Sequence, residues 1–292
     1  MNRILLTVGA FVAVSGTAYA ADTVRLCTGS ESGNYYAAGD IIRNMAGSSV
    51  NVQVVETEGT IDNLERMLDR ASDEDGACDA MIGQPDGPVY LSRTSPAKVK
   101  RIRQIASLHR EYLHVLCNKE SGVSDLGDLE NDPAKYRIAI GDAGSGGWLV
   151  WQNLIAEDSD YGEIPVSNEG GILALSSVSA GETTCMLVPA GLKNGTVNEA
   201  DANFGDTVNL VGANDVDFND ALDIKGKPLY EYAKIPGGTY PNSFNYWTKV
   251  STITWNAGVY VNTDKFKNSK TLTAFVQAVA RSANTIKAEF GK

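Results

Sequence analysis

Ser145 is the residue of this sequence whose setting most resembles that of a reactive group. It lies in GDAGSGGWLVWQNLI, residues 141–155, where glycines flank the serine and a helix-like apolar run follows directly. Three kinds of chemistry suit such a turn: a serine nucleophile, a phosphate-binding loop, or a set of backbone N–H groups that binds an anion without changing it. The rest of the sequence decides among them.

Two earlier turns have the same character, and the three together favour a ligand-binding cleft. They read CTGSESGNYY, from Cys27, and ETEGTIDN, from Glu56, and each joins a strand-like run to a helix-like run. The first N–H groups of a helix lack partners within it, and ligands of open α/β sheets bind at strand ends. The structural alternative is that the serines and threonines are ordinary helix N-caps and the glycines merely permit tight turns.

A serine hydrolase is the catalytic alternative for Ser145. The letters AGSGG approach the G-x-S-x-G nucleophile elbow. An α/β-hydrolase places its histidine after the serine, however, whereas His109 and His114, the only histidines, both precede it. The sequence also lacks the phosphate-loop and dinucleotide-binding glycine patterns. We therefore predict an amide-lined cradle, with no catalytic residue and no cofactor.

Four further side chains are candidates for ligand contact. Gln84 and Asp86 end a strand-like run in IGQPDG and should face the same cleft. Tyr35 and Trp148 each lie in the first helical turn after a glycine, whereas Trp151 is expected in the core.

The elements around these turns alternate between strand-like and helix-like runs, which is typical of βα units on a parallel sheet. Strand-like runs include TVRLC, VNVQVV and CDAMIGQ, and later YRIAIG, TTCMLVPAG and STITWNAGVYVN. Between these two groups, KRIRQIASL and YLHVLCNK are consecutive strand-like runs joined by HRE, residues 109–111. Helix-like runs include NYYAAGDIIRNMAG, TIDNLERMLDRA and a final stretch from Thr271 with an apolar stripe. We predict an α/β fold of two parallel-sheet lobes joined by strand hinges. Residues 21–115 with 252–292 would form lobe I, and residues 116–251 lobe II.

The amino terminus predicts export. Residues 1–20, MNRILLTVGAFVAVSGTAYA, place an arginine before an apolar stretch and end in a small-residue motif, so we expect a signal peptide cleaved near Ala20 and a periplasmic protein. A retained membrane anchor is the alternative, but the apolar run is too short to span a bilayer. No later segment has the roughly 18 apolar residues that insertion requires. The net charge of -11 disfavours nucleic acid, which needs a basic face.

Two features invite a metal-site interpretation, and neither fits one. Four cysteines, at positions 27, 78, 117 and 185, are widely spaced, and none forms a CxxC pair. An even number of cysteines in an exported protein instead suggests one or two disulfides, and full pairing could occur in three ways. Buried single cysteines are the other alternative. The segment NDVDFNDALDIKG, from Asn214, resembles a calcium loop, but Asp220 and Gly226 occupy positions that need glycine and glutamate. No metal site is predicted.

Several motifs, taken in order, resemble those of the TAXI group of solute receptors, the periplasmic binding proteins that serve TRAP transporters. They extend from about Thr28 to Trp255 and read TGSESGNYYAAG, GTIDNL, IGQPD, IASLHREYLHVLCNKESGVSDLGDL, GDAGSGGW and GTYP. Each motif is short, and their shared order carries the resemblance.

The resemblance implies a type II-like, two-lobed periplasmic binding protein that closes on a solute and delivers it to an ion-driven TRAP-type permease without performing chemistry. The family is associated with small organic acids and with amino acids such as glutamate. Carried over by position, the resemblance implies that the ligand-binding residues are Ser30, Ser32, Gly33, Asn34, Tyr35, Thr60, Gln84, Asp86, Ser145, Gly146, Gly147 and Trp148.

Departures from the family pattern concern the ligand. Gly147 replaces a threonine of the family motif, and Glu31 and Glu58 stand where small residues are usual. With Asp86 and Asp142 near other strand ends, the predicted rim is more acidic than a dicarboxylate would favour, so an ammonium-bearing solute becomes an alternative. Two other functions stay open at this point: an exported serine hydrolase that uses Ser145, and a solute-sensing module for a signalling partner.

Overall fold

The computed structural model describes residues 22–31 and 33–291. The predicted signal peptide and Ser32 lie outside the described residues. The strands are β1 (Thr23–Cys27), β2 (Asn51–Val55), β3 (Ala80–Gly83), β4 (Ile102–Asn118), β5 (Ile138–Ala139), β6 (Val166–Ser167), β7 (Cys185–Ala190), β8 (Val208–Val211), β9 (Glu231–Ile235) and β10 (Val250–Asn262). The α-helices are α1 (Asn34–Ala46), α2 (Thr60–Leu68), α3 (Asp86–Thr94), α4 (Pro96–Val99), α5 (Gly146–Glu157), α6 (Gly171–Ser179), α7 (Gly195–Asn203) and α8 (Ser269–Phe290).

The strands form two similar sets, which we call lobe I and lobe II. In lobe I the order is β2-β1-β3-β10, with β1 parallel to both of its neighbours and β10 antiparallel to β3. In lobe II the order is β6-β5-β7-β4, with β5 parallel to both neighbours and β4 antiparallel to β7. Each set therefore has three parallel strands followed by one antiparallel strand that arrives from the other lobe. The predicted α/β fold is confirmed.

Two long strands join the lobes. β4 has 17 residues and β10 has 13, and they pair antiparallel from Thr254 opposite Tyr112 to Asn262 opposite Ile102. The sequence suggested two consecutive strands with a break at His-Arg-Glu, residues 109–111. The structure has one continuous strand there, because β10 pairs with it through this region and supplies the ladder partners. The predicted lobe boundaries, at residues 115 and 251, stay a prediction.

Each lobe buries its own apolar core. In lobe I, Leu26 of β1, Ile42 of α1 and Phe275 of α8 are fully buried in one cluster. In lobe II, Trp151 of α5 and Tyr161 pack edge to face in another, with ring centroids 5.5 Å apart. The apolar stripe predicted for the last helix thus faces lobe I, so the chain ends where its first strands lie. Within the described residues, no helix has both the length and the apolar character needed to cross a bilayer.

One disulfide lies in each lobe. Cys27 at the end of β1 bonds to Cys78, and Cys117 of β4 bonds to Cys185, which faces it across the β4–β7 ladder. The sequence left the pairing open, because it depends on which strands become neighbours. Cross-links that close loops of this length stabilise a protein by reducing the entropy of the unfolded chain.

Candidate functional site

A cavity of about 510 Å³ lies between the lobes. Lobe I contributes the turns after β1, β2 and β3, and lobe II contributes the end of β7 and the starts of α5 and α7. The lining residues are Gly29, Ser30, Gly33, Asn34, Tyr35, Thr57, Glu58, Gly59, Thr60, Gln84, Glu111, Gly146, Pro189, Ala190, Leu192, Lys193, Asn194 and Gly195. The lining is mostly polar, and it includes the first residues of four helices.

The helix starts converge from both sides of the cavity. α1 and α2 begin after Gly33 and Gly59, which have no side chain to accept hydrogen bonds from the first-turn N–H groups. Gly59 has a φ of 124°, a conformation that residues with a Cβ rarely adopt, so glycine is required at that turn. From lobe II, α5 and α7 begin at the cavity with the N-caps Ser145 and Asn194. First-turn N–H groups and the positive end of the helix dipole make this a favourable environment for an anion.

Asn63 positions the three turns of lobe I relative to one another. Its side-chain amide donates hydrogen bonds to the carbonyl oxygens of Thr28 (2.7 Å) and Ile82 (2.8 Å), at the ends of β1 and β3. Its carbonyl oxygen accepts from the Thr57 hydroxyl at 2.6 Å, after β2. One fully buried side chain therefore connects all three strand ends. The sequence signal was weak: a single amide on the otherwise apolar face of α2.

The lobes come close together where Gln84 meets the start of α5. Gln84 is 3% exposed, and its backbone N–H donates to the Thr60 hydroxyl at 3.2 Å. A Cβ atom on Gly146 would lie 2.6 Å from Gln84 Oε1, so only glycine fits there without displacing the amide. Within the described part of the chain, Gln84 Nε2 is buried and has no hydrogen-bond partner. It is a donor at the cavity wall that a ligand could satisfy.

Glu111 lies on the hinge strand β4 and also lines the cavity. Its Oε2 accepts hydrogen bonds from the Tyr35 hydroxyl (2.8 Å) and from Trp255 Nε1 (2.9 Å). Burial raises the pKa of Glu111 to about 7, and the two hydrogen bonds act in the opposite direction. His109 Nε2 lies 3.8 Å from Glu111 Oε1, but burial lowers the pKa of His109 to about 4. The histidine is therefore neutral at pH 7, and this contact is not an ion pair.

Lys193 provides the cation at the other side of the cavity. Among the described residues it is the one non-glycine residue with a positive φ, 62°. Its backbone N–H donates to the Tyr240 hydroxyl at 3.0 Å, and that hydroxyl lies 2.8 Å from His114 Nε2. His114 Nδ1 lies 3.0 Å from the Val188 carbonyl, which assigns its proton to Nδ1 and makes Nε2 the acceptor from Tyr240. This buried chain of hydrogen bonds holds the Lys193 backbone in a left-handed conformation, which is unfavourable for a residue with a side chain unless its surroundings fix it.

Glu111 and Lys193 line the cavity but are not among the predicted site residues. Glu111 falls in the predicted break between two strands, although a lone acid in an otherwise apolar strand is a usable signal. The loop of Lys193 gave no sequence pattern, because its position depends on contacts with Tyr240 and His114.

The predicted site residues divide into two groups. Those that line the cavity are Ser30, Gly33, Asn34, Tyr35, Thr60, Gln84 and Gly146. Asp86, Ser145, Gly147 and Trp148 lie beside it without lining it. Gly147 is packed against the backbone, since a Cβ there would be 2.5 Å from the Ile140 carbonyl oxygen. Trp148 packs edge to face on Tyr90, with ring centroids 5.0 Å apart. Ligand contact by any of these residues stays a prediction, and Ser32 lies outside the described residues.

Asp86 connects the two lobes without lining the cavity. It is fully buried at the start of α3, and its Oδ1 accepts hydrogen bonds from Asn153 Nδ2 of α5 (3.1 Å) and from the Tyr230 hydroxyl. Burial raises the pKa of Asp86 to about 6. The residue predicted to touch a ligand thus makes a contact between α3 and lobe II.

Ser145 has the geometry of a helix cap. Its hydroxyl oxygen accepts a hydrogen bond from the Trp148 N–H at 3.4 Å. His114 is engaged with Tyr240 and Val188, and neither ring nitrogen of His109 has a hydrogen-bond partner among residues 22–31 and 33–291. A serine nucleophile requires a base within hydrogen-bonding distance. In the same residues, no group of three or more His, Cys, Asp or Glu side chains is placed to hold a metal ion.

Solved structures of low sequence identity share this fold. One is MatC from Rhodopseudomonas palustris with bound malate (14% identity, 90% of this chain and 85% of that chain, TM-score 0.51). A second is the GluR0 ligand-binding core from Nostoc punctiforme with L-glutamate (13% identity, 91% of this chain and 98% of that chain, TM-score 0.50). A third is a putative periplasmic sulfonate-binding protein, SsuA, from Methylobacillus flagellatus KT (12% identity, 91% of this chain and 69% of that chain, TM-score 0.52).

These likenesses confirm the fold as that of a two-lobed periplasmic binding protein. No curated protein matches the sequence. Residues 26–269 match the sequence profile of the NMT1-like family, and by this match over most of its length the chain belongs to the NMT1-like family.

Proposed function

We propose that this protein is an extracytoplasmic receptor that captures a small organic acid or amino acid between its lobes and delivers it to a TRAP-type permease, as the TAXI resemblance suggests. The observation that carries the proposal is the convergence of four helix N-termini, two from each lobe, on one polar cavity. A carboxylate placed there accepts hydrogen bonds from backbone N–H groups that have lost water.

Binding in such a site depends on both lobes at once. Either lobe alone offers two helix starts, whereas the closed cavity offers four. Solute therefore binds the closed arrangement more tightly than an open one, and it shifts the population toward closure. β4 and β10 are the only strands among the described residues that belong to both lobes, so they are the proposed hinge.

The bound solutes of two structural neighbours support an acidic ligand. MatC was solved with malate and the GluR0 core with L-glutamate, and both solutes are small carboxylates. Export fits the same function: the amino-terminal sequence predicts a signal peptide, and disulfides such as Cys27–Cys78 form in oxidising compartments. We place the mature receptor in the periplasm.

A ligand screen tests the proposal. Purified mature protein is screened by thermal shift against amino acids, dicarboxylates, sulfonates and amines, and hits are measured by calorimetry. A solute that binds only the folded protein raises Tm. Liposomes that contain a TRAP-type permease should then take up the solute only when the receptor is added.

A pair of glycine variants locates the site. Gly146→Leu places a side chain against Gln84 and should abolish binding, whereas Gly162→Leu, at an exposed glycine outside the cavity, should leave the Kd unchanged. Equal affinities in the two variants would contradict the assigned cavity. Labelling by a fluorophosphonate that disappears in Ser145→Ala would instead indicate a serine hydrolase.

A further inference from the structure

We infer that the solute carries a positively charged nitrogen as well as a carboxylate, as an amino acid does, with Glu111 as the partner of the nitrogen and Lys193 as the cation that faces the carboxylate. The inference rests on the proposed function and narrows its ligand class. It also assigns specificity to two residues that the sequence patterns did not single out.

Glu111 is a buried acid that lacks a countercharge. It is 5% exposed, and the titratable groups that interact with it are Tyr35, Tyr260, His109 and Asp86, none of which is a cation at pH 7. Within the described residues, no Lys or Arg forms an ion pair with it. Removing an unpaired carboxylate from water is costly, and a ligand nitrogen in the cavity would supply the missing charge.

The hydrogen bonds of Glu111 leave one oxygen available to that nitrogen. Tyr35 and Trp255 both donate to Oε2, so they orient the carboxyl group and leave Oε1 without a hydrogen bond from the described residues. Trp255 faces Glu111 across the β4–β10 ladder, and Tyr35 belongs to α1. The acid is therefore held rigidly between the hinge and lobe I before any ligand arrives.

Lys193 and Gln84 are the side chains that would bind the carboxylate of the solute. Lys193 is the only Lys or Arg among the described residues that line the cavity, and its exposed side chain follows a backbone held in a left-handed conformation. Gln84 Nε2 is a buried donor without a protein partner in the same lining. A cation, a free amide donor and the helix starts together suit an anionic group.

Glu58 is the other acid of the cavity lining, and it is the alternative partner for the ligand nitrogen. It is exposed, so water screens its charge, whereas Glu111 is buried. A ligand nitrogen should gain more from Glu111, because a buried charge is weakly screened.

The decisive experiment compares pairs of solutes that differ by one amino group. Calorimetry measures the Kd of the standard L-amino acids and of their desamino analogues, such as L-glutamate against glutarate and L-aspartate against succinate. We expect the preferred amino acid to bind at least tenfold more tightly than its analogue. Glu111→Gln should remove this preference by weakening amino acid binding at least tenfold, with less than a threefold change for the analogue. Glu65→Gln, at an exposed acid of α2 that does not line the cavity, is the control and should change both values by less than threefold.

Lys193 is tested with two substitutions. Lys193→Gln should weaken both members of a pair at least tenfold, because both carry the carboxylate. Lys193→Gly should weaken them equally while leaving Tm unchanged or higher, since glycine adopts a φ of 62° without strain. A loss of affinity at full stability separates a role in binding from a role in folding.

Proton release gives a second measurement for Glu111. With its pKa at about 7, roughly half of the Glu111 population is protonated at pH 7 in the free protein, and pairing with a ligand cation would ionise it. Titrations in buffers of different ionisation enthalpy should show about half a proton released per amino acid bound at pH 7. Asp86 also titrates near this range and is retained in Glu111→Gln, so the loss of release in that variant isolates Glu111.

The outcomes separate this inference from the proposed function. Tight binding of a desamino acid with no preference for an amino acid, or unchanged selectivity in Glu111→Gln, overturns the inference and leaves a receptor for organic acids. Failure of every solute class to bind the wild-type protein overturns the proposed function and the inference with it.

Discussion

Replacing Asp86 by asparagine should make the protein more stable at pH 8 and less sensitive to pH. Asp86 is fully buried, and both of its hydrogen bonds, from Asn153 and Tyr230, end on Oδ1, while Oδ2 has no partner among the described residues. An asparagine carbonyl can accept the same two hydrogen bonds without carrying a charge. The substitution therefore removes the cost of burying a carboxylate and retains the contact between α3 and lobe II.

The magnitude follows from the shifted pKa. Burial raises the pKa of Asp86 from 3.8 to about 6, a change of about 2 units at 1.36 kcal/mol each, or about 3 kcal/mol. Below pH 4 an acid with a raised pKa in the folded state does not lower the free energy of unfolding, because it is protonated in both the folded and the unfolded protein. Its cost grows as the pH rises from 4 to 6 and is complete above pH 6. The substituted asparagine does not titrate, so the gain should be about 3 kcal/mol at pH 8 and near zero at pH 4.

Urea unfolding followed by tryptophan fluorescence at pH 4, 5, 6, 7 and 8, with the disulfides intact, measures this difference. Glu111 also has a raised pKa, mainly because it is buried, and the Asp86 charge raises that pKa further; removing the charge therefore adds a smaller gain in the same direction above pH 6. Asp142→Asn, at an exposed site, is the control and should change the free energy of unfolding by less than about 0.5 kcal/mol. Parallel pH profiles for wild type and Asp86→Asn, or a less stable variant at pH 8, would refute the reasoning.

Three further variants test the disulfide of lobe II and the packing around the cavity. Replacing Cys117 and Cys185 together by alanine should lower the free energy of unfolding by about 4 kcal/mol, measured by denaturant unfolding without reductant, because the disulfide closes a loop with a sequence separation of 68. Gly147→Ala should cost about 1–3 kcal/mol in the same assay, since its Cβ would meet the Ile140 carbonyl; no loss would mean that the start of α5 can shift freely. Asn63→Ala should cost about 2–4 kcal/mol, because it leaves buried groups at three strand ends unpaired, and native hydrogen exchange should be faster in those turns than elsewhere.

Local sequence patterns predicted much of the fold and part of the candidate site. Glycine at the start of a helix-like run is a local signal, and the three glycines that mark the predicted turns, Gly33, Gly59 and Gly146, all line the cavity. The return of the last helix to lobe I followed from its apolar stripe, which needs a core to cover it.

Other features depended on distant parts of the chain. Asp86 follows a strand end as expected, yet its side chain turns to Asn153 and Tyr230, residues 67 and 144 positions away. The disulfide pairs depend on which strands become neighbours. The continuity of the hinge strand depends on β10, which pairs with Arg110 and Glu111 where the sequence predicts a connection.

The sequence by itself determined which segments become strands and helices and where helices start, because hydrophobic periodicity and glycine conformation act between near neighbours. Only the tertiary structure decided which charges face the cavity. Glu111 lies there because β4 crosses between the lobes, and Lys193 because Tyr240, 47 residues later, binds its backbone. Burial and charge pairing arise from contacts between residues far apart in the chain, and those contacts give the cavity its chemistry.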